Sequence, residues 1–201
     1  MAERVQRMTL NAVRALVERN SQLAADVILE DREVNREELE IDEICLRILA
    51  RRQPMASDLR FIATAMKMVT DLERVGDLSV SIAERAISLN GAPERRSYEE
   101  LQRMADIASE MLNVTITAFL DGDPKLAETV IKRADEVDEL YNRLQRDLSD
   151  AMVKNSDIIR RSLDVRAVAK NLERMADHTT NIAEMVIYMI RGKDVRHLNR
   201  L

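Results

Sequence analysis

The stretch Leu72-Glu-Arg-Val-Gly-Asp77 returns one hundred residues later as Leu172-Glu-Arg-Met-Ala-Asp177. Both copies continue to Ile-Ala-Glu after the same interval, and seven of thirteen positions from Leu72 onward match their counterparts. Residues four apart lie on the same face of a helix, so Glu73 and Asp77 form a pair of carboxylates there. A duplicated pair of carboxylates predicts a duplicated site.

The carboxylate pair lies on a helix face that is otherwise apolar. At about 100° per residue, Glu84 falls within roughly 20° of Glu73, so each copy places three acids on one stripe. The same stripe carries the apolar residues Ile62, Met66, Val69, Val80 and Ile87. Acids in such surroundings need partners, which are basic side chains or metal. Arg74 and Arg174 are turned away by about 100°, so we expect them to bridge to other helices.

The composition predicts an all-α protein. Aromatic residues make up only 2% of the 201 residues, and the chain has four Gly and three Pro. Met, Ala, Leu, Ile and Val must therefore fill the core, which suits long helices packed side by side. Five breaks with helix-stop or helix-start chemistry predict six helices. These breaks are Asn20-Ser21, Arg51 to Pro54, Asn90 to Pro93, Asp121 to Pro124 and Asn155-Ser156.

A seven-residue apolar spacing recurs on the second and fifth helices and is typical of helices that pack at shallow angles. The positions are Val27, Val34, Ile41 and Ile48, and then Val130, Val137, Leu144 and Ala151. The second series is the first shifted by 103 residues. We therefore predict two pseudo-symmetric antiparallel three-helix bundles in tandem, over residues 1–91 and 92–201. A capping box at Ser97–Glu100, the Asp123-Pro124 pair and Gly192 mark helix ends.

The charge pattern and the cysteine content exclude several classes of protein. The 31 Lys and Arg are interspersed with 36 Asp and Glu, giving a net charge of −5, which argues against a nucleic-acid binder. The single Cys45 is predicted to be a core residue. A chain with one cysteine forms no internal disulfide, which indicates a reducing compartment. No secretory signal or long apolar run is present, which predicts a cytoplasmic protein that meets a membrane only through partners. The charged stretch 36–43 is interpreted as a solvated helix face.

Further oxygen-bearing side chains lie on the preceding helix of each half, at Asp31-Arg-Glu-Val-Asn35 and Ala134-Asp-Glu-Val-Asp138. If the second and third helices of each half pack face to face, about four such side chains meet in each. Oxygen ligands suit Mg, Mn, Ca or iron. The alternative is that the acids form structural salt bridges within a helical protein-interaction adaptor. His178 occurs in one copy only, and His197 lies in the tail, so we expect neither to be a ligand.

The sequence resembles the PhoU family of regulators of bacterial phosphate uptake. The residues that carry the resemblance are the two Glu-Arg-x-x-Asp segments, Pro54–Arg60, Asn181–Glu184 and the tail Arg191–His197. The resemblance implies metal ions held by paired acidic motifs from two helices in each half. It assigns as metal ligands Glu73, Asp77, Glu173, Asp177, Asp31, Asn35, Asp138 and Asp135. Asn35 and Ala134 stand where the family has acids, and Asp135 compensates in the second half.

The resemblance also implies a function. The chain is expected to be a non-enzymatic negative regulator of phosphate uptake and of the phosphate-starvation (Pho) regulon. Its expected partners are the phosphate ABC transporter, especially the nucleotide-binding subunit, the phosphate sensor histidine kinase and a second copy in a homodimer. The expected cofactors are iron, manganese, magnesium or zinc ions. The chain also begins closer to its first helix than the family pattern implies, so a short N-terminal segment is expected to be missing or trimmed.

An enzyme is not expected from the residues themselves. The Glu-x-x-His motif of di-metal carboxylate bundles is absent from the sequence. The four glycines form no phosphate-binding loop, and no Ser/His/Asp or Cys/His set stands out.

Overall fold

The computed structural model describes residues 1–91 and 99–193, and within them the chain forms long helices and no strand. The helices are α1 (Ala2–Val17), α2 (Ser21–Arg52), α3 (Ser57–Asn90), α4 (Glu99–Asp121), α5 (Pro124–Lys154) and α6 (Ile159–Arg191). A short 3₁₀ turn, Ser156–Ile158, leads directly into α6. The prediction of an all-α protein with six long helices is confirmed.

The helix ends are determined by local capping chemistry. The Asn20 side chain accepts a hydrogen bond from the Leu23 N–H at 3.0 Å and so caps α2. Asp123 accepts from the N–H groups of residues 125 and 126 at 2.8 and 3.2 Å, with Pro124 opening α5. Gly192 adopts a left-handed φ of +67° after α6. The capping box at 97–100 falls partly outside the described residues.

The two halves pack against each other through their third helices. In the first half α1, α2 and α3 pack together, and in the second α4, α5 and α6 do so, while α3 contacts α6 and α1 contacts α4 across the halves. Three polar contacts fix α3 antiparallel to α6: Arg60 Nε to Met189 O at 3.0 Å, Asp71 Oδ1 to His178 Nδ1 at 2.7 Å, and Arg85 Nη1 to Asp164 Oδ1 at 2.9 Å. All three lie in one register.

Among the described residues, one hydrophobic core runs through both halves. Its large and fully buried side chains come from five of the helices: Met8, Leu16, Ile82, Leu101, Met104, Met111, Leu148, Leu172, Met175, Ile182 and Ile187. Cys45 is buried, as expected, although it is not part of this main hydrophobic cluster. Because residues 92–98 lie outside the described part, the division at 91/92 stays a prediction.

The apolar spacing of α2 is buried only along its first half. Val27 and Val34 are buried, whereas Ile41 and Ile48 are partly exposed. The reason is length, since α1 has 16 residues and α2 has 32, so α1 covers only the first half of α2. Within the described residues, no helix combines the length and the apolar character needed to cross a membrane.

Gly76 lies where α2 and α3 approach closely, and it generates the first testable prediction. A methyl group added at Gly76 would meet Val34 Cγ1 at 3.4 Å and Asp31 Oδ1 at 3.8 Å, which is ordinary van der Waals contact. Alanine is also a better helix former than glycine, and Ala176 stands at the matching position of α6. We therefore expect Gly76→Ala to raise the free energy of unfolding by about 0.5–1 kcal/mol.

The measurement is urea denaturation, with Ala176→Gly as the matched control that loses a similar amount. A lower midpoint for Gly76→Ala would show that α2 and α3 lie closer together than described.

Candidate metal centre

The close approach of α2 and α3 brings their acids together. Val34 and Asp31 of α2 both lie beside Gly76 of α3, with Val34 Cγ1 at 3.4 Å and Asp31 Oδ1 at 3.8 Å from the place where a methyl group on Gly76 would lie. Glu73 precedes Gly76 and Asp77 follows it on α3. The structure therefore places Asp31 near these two acids, as the sequence analysis expected.

Five acids and one amide form what we call the first acidic cluster: Asp31, Asn35, Glu38 and Asp42 on α2, and Glu73 and Asp77 on α3. Burial raises the pKa of Asp31, and repulsion from Asp77 raises it further. Burial also raises the pKa of Glu73, with Asp77, Glu38 and Asp31 adding repulsion. The mutual repulsion of these carboxylates would be relieved by a nearby positive charge.

Three buried oxygens of this cluster have no hydrogen-bond partner, namely Asp31 Oδ1, Asn35 Oδ1 and Asp42 Oδ1. The Asn35 amide donates to Asp31 Oδ2 at 2.9 Å, which leaves its own carbonyl oxygen as an acceptor. Buried oxygens normally have partners, so these three are suited to a cation. Asn35, which replaces an acid of the family pattern, still supplies an oxygen.

Arg74 differs from the sequence-based expectation. The prediction that it turns away from the acids of its own helix is wrong. Its Nε lies 3.5 Å from Glu73 Oε2 and its Nη1 lies 3.3 Å from Asp77 Oδ2. The long side chain folds back along α3, which the angle of the Cα–Cβ bond alone does not anticipate. Arg74 is more than half exposed, so it offsets the charge of these acids only partly.

Glu38 and Asp42 are the cluster members that the sequence analysis missed, because the interpretation of 36–43 as a solvated face is wrong for them. Burial, and then repulsion from Asp42, raises the pKa of Glu38. The signal was present in the spacing, since Glu38 and Asp42 follow Asp31 by seven and eleven residues and so share its face. Glu84, by contrast, is exposed on the stripe where a third acid was expected among apolar residues.

The second half contains a different arrangement, the second acidic cluster of Asp135, Asp138, Glu173 and Asp177. Desolvation raises the pKa of Asp138, and repulsion from Glu173, Asp177 and Asp135 adds to it. Lys170, one turn before Glu173 on α6, places its Nζ 2.7 Å from Glu173 Oε1 and 2.6 Å from Oε2. The predicted residues are thus brought together, but with an internal cation.

His178 is not a ligand of either cluster in this structure. Its Nδ1 lies 2.7 Å from Asp71 Oδ1, and both side chains are about four-fifths buried between the two halves. The sequence analysis expected that His178 would not be a metal ligand. It did not identify Asp71 as the partner of His178, because Asp71 comes from the other half of the chain. His197 lies outside the described residues.

The acids of the first cluster lie near one another without forming a complete set of metal ligands. Across residues 1–91 and 99–193, no three His, Cys, Asp or Glu side chains are placed to hold an ion as they stand. The donor chemistry of the first cluster still fits a hard cation, since it offers carboxylate and amide oxygens, three of them unpartnered.

Comparison with known proteins decides the family. The family model described as the PhoU domain matches the chain twice, over residues 1–86 and 101–186. The two matched regions contain the two acidic clusters, one in each. The chain belongs to the PhoU family.

Relatives of known name support the same assignment. The phosphate-specific transport system accessory protein PhoU homolog of Pseudomonas putida is 43% identical over 195 residues, covering 96% of this chain and 76% of that protein. The homolog of Aquifex aeolicus is 40% identical, covering 98% and 89%. These PhoU relatives are named as accessory proteins of a phosphate-specific transport system. Membership of this non-enzymatic family agrees with the prediction that the chain is not an enzyme.

Solved PhoU structures share the fold. The crystal structure of PhoU from Pseudomonas aeruginosa matches with a TM-score of 0.92 at 40% identity, covering 96% of this chain and 93% of that one. The phosphate transport system regulatory protein PhoU from Streptococcus pneumoniae matches with a TM-score of 0.89 at 27% identity, covering 96% and 91%. The prediction of two pseudo-symmetric three-helix repeats in tandem is confirmed.

The raised pKa of Glu38 predicts a pH-dependent stability. Between its unfolded and its folded pKa, the folded protein binds more protons than the unfolded chain, so the free energy of unfolding falls as pH rises through that window. Above the window the full penalty is present. In chelator-treated protein near pH 7, we expect Glu38→Gln to raise the free energy of unfolding by roughly 0.5 kcal/mol, allowing for solvent screening.

The gain should disappear below about pH 4, where Glu38 is protonated in both states. Urea denaturation across this range is the measurement, with Glu43→Gln on the exposed side of α2 as the control. A gain that is the same at both ends of the range would exclude charge repulsion as its cause.

Proposed function

We propose that this protein is a negative regulator of phosphate uptake and of the phosphate-starvation regulon. It acts as an adaptor between the phosphate ABC transporter, through its nucleotide-binding subunit, and the phosphate sensor histidine kinase. The single observation that carries the proposal is the match of both repeats to the PhoU domain, together with relatives named as accessory proteins of the phosphate-specific transport system. The protein would work in the cytoplasm and as a homodimer.

The shape of the helices supports an adaptor. The part of α2 that extends beyond α1 exposes large apolar side chains, among them Leu39 at 70% and Leu46 at 56% exposure. Met55, in the turn between α2 and α3, is 80% exposed. Exposed apolar side chains next to charged ones are typical of surfaces that bind other proteins. The far end of the α2–α3 pair is therefore suited to partner docking.

The first acidic cluster would hold the metal. Asp31, Asp42 and Asn35 supply oxygens from α2, and Glu73 and Asp77 supply them from α3. A bound divalent or ferric ion supplies positive charge that offsets their repulsion. The acids of this chain bind the ion and fix its position, and they have no catalytic role. Joining α2 to α3 in this way would stiffen the pair of helices that carries the exposed apolar side chains.

The regulatory role can be tested in a strain that lacks its own PhoU protein. We expect this chain to restore repression of a phosphate-starvation reporter in phosphate-replete medium and to lower phosphate uptake to the parental rate. Reporter fluorescence and uptake of radioactive phosphate are the measurements. A chain that accumulates to normal levels and changes neither quantity would refute the regulatory proposal.

The metal can be tested separately by elemental analysis of protein purified without chelator or affinity metal. We expect the wild type to carry iron, manganese, magnesium or zinc, and the variant Glu73→Gln with Asp77→Asn to lose most of it while remaining folded. Asp26→Asn, on the exposed surface of α2, is the control. If the double variant keeps the wild-type metal content, or if neither protein holds metal, the acids are structural and the simple adaptor is the better description.

A further inference from the structure

The two acidic clusters occupy matching positions of the repeat but differ in charge. Shifted by 103 residues, Glu38 and Asp42 of α2 correspond to Tyr141 and Gln145 of α5. These two neutral side chains hydrogen-bond to each other, since the Gln145 amide donates to the Tyr141 hydroxyl. The second repeat therefore has a closed neutral pair where the first has two acids.

The third helix of each repeat adds a second difference in the same direction. Shifted by 100 residues, Thr70 of α3 corresponds to Lys170 of α6. Thr70 is exposed and donates only to the carbonyl oxygen of Met66 in its own helix. Lys170 instead donates a charge-assisted hydrogen bond to Glu173 Oε1 at 2.7 Å. Its Nζ also lies 2.6 Å from Glu173 Oε2 as an ion pair, although that oxygen accepts no hydrogen bond.

Lys170 is held in place from both helices of its repeat. Its ammonium lies 5.3 Å from the centre of the Tyr141 ring on α5, within the range of a cation–π interaction. The hydrogen bond to Glu173 also raises the pKa of Lys170, so the side chain is charged at neutral pH. The ammonium thus joins α5 to α6 in the way that a bound ion would join α2 to α3.

We infer that Lys170 is a built-in cation of the second acidic cluster, and that the two repeats therefore differ in metal capacity. The first repeat takes the divalent or ferric ion, and the second binds one about tenfold more weakly or not at all. This inference rests on the proposed metal binding of the first cluster. Lys170 is a specificity-determining residue in this account, because it decides which repeat is loaded.

The size of the effect follows from two contributions. An exposed ion pair that has to be broken lowers an equilibrium constant by up to about fivefold. If Lys170 keeps its place instead, a dication about 5 Å from its ammonium group in water is bound roughly tenfold more weakly before salt screens the repulsion. The acids that could compensate are replaced by Tyr141 and Gln145.

The test is equilibrium dialysis of chelator-treated full-length protein against Mn²⁺ alone, with free Mn²⁺ measured by electron paramagnetic resonance. Glu73→Gln and Glu173→Gln assign binding to the first or the second repeat. Lys170→Thr gives the second repeat the residue of the first, and Thr70→Lys does the reverse. Lys170→Arg keeps the positive charge and is the matched control. Both exchanged positions are exposed, and circular dichroism checks the fold of each variant.

We expect wild-type binding to be lost in Glu73→Gln and kept in Glu173→Gln. Lys170→Thr should add a second class of Mn²⁺ sites, or make Mn²⁺ binding by the second repeat about tenfold tighter. Thr70→Lys should weaken Mn²⁺ binding by the first repeat by a similar factor. Lys170→Arg should bind Mn²⁺ as the wild type does. If Lys170→Thr leaves binding unchanged, or if Glu173→Gln removes as much Mn²⁺ as Glu73→Gln, the inference is wrong while metal binding stands.

The remaining outcomes separate the inference from the proposed function. If only Lys170→Thr binds Mn²⁺, the role of Lys170 is supported and the proposed metal site of the first repeat fails. If no protein in the series binds Mn²⁺, both the metal proposal and the inference are overturned, and the regulatory proposal depends on the reporter strain alone.

Discussion

The antiparallel packing of α3 against α6 is the interaction on which the rest of the structure depends. Each of these helices has two faces with different roles. One face carries buried residues such as Leu72 and Ile82 in the core that both repeats share. The other carries Glu73 and Asp77, which face α2. Because the first face is fixed by burial of apolar surface, the acids are held in place even where they repel each other.

That repulsion is a local cost which the fold tolerates. Acids whose pKa values are raised by burial and by one another favour losing charge or gaining a cation. The chain supplies cations of its own in two ways, through Arg74 at 3.3–3.5 Å in the first cluster and Lys170 at 2.6–2.7 Å in the second. Sites that reduce stability in this way are commonly retained because they bind something.

The two repeats share a scaffold but not a surface. The cross-repeat pair of Asp71 and His178 has no counterpart, because the corresponding residues are Asn171 and Leu78. Packing against the shared core constrains the apolar positions in both copies, whereas polar positions at the edges are free to change. In the proposed adaptor role, this asymmetry would let two similar bundles present different charges and contacts.

The sequence by itself determined the helical class, the six segments, the repeat and most of the acids, since these follow from spacing, composition and capping residues such as Asp123 and Gly192. Tertiary structure decided which side chains meet. Glu38 and Asp42 join the cluster only because α2 lies against α3, Arg74 folds back onto its own helix, and His178 finds Asp71 across the halves. Periodicity fixes the face of one helix, but a partner depends on how two helices pack and which rotamers they select.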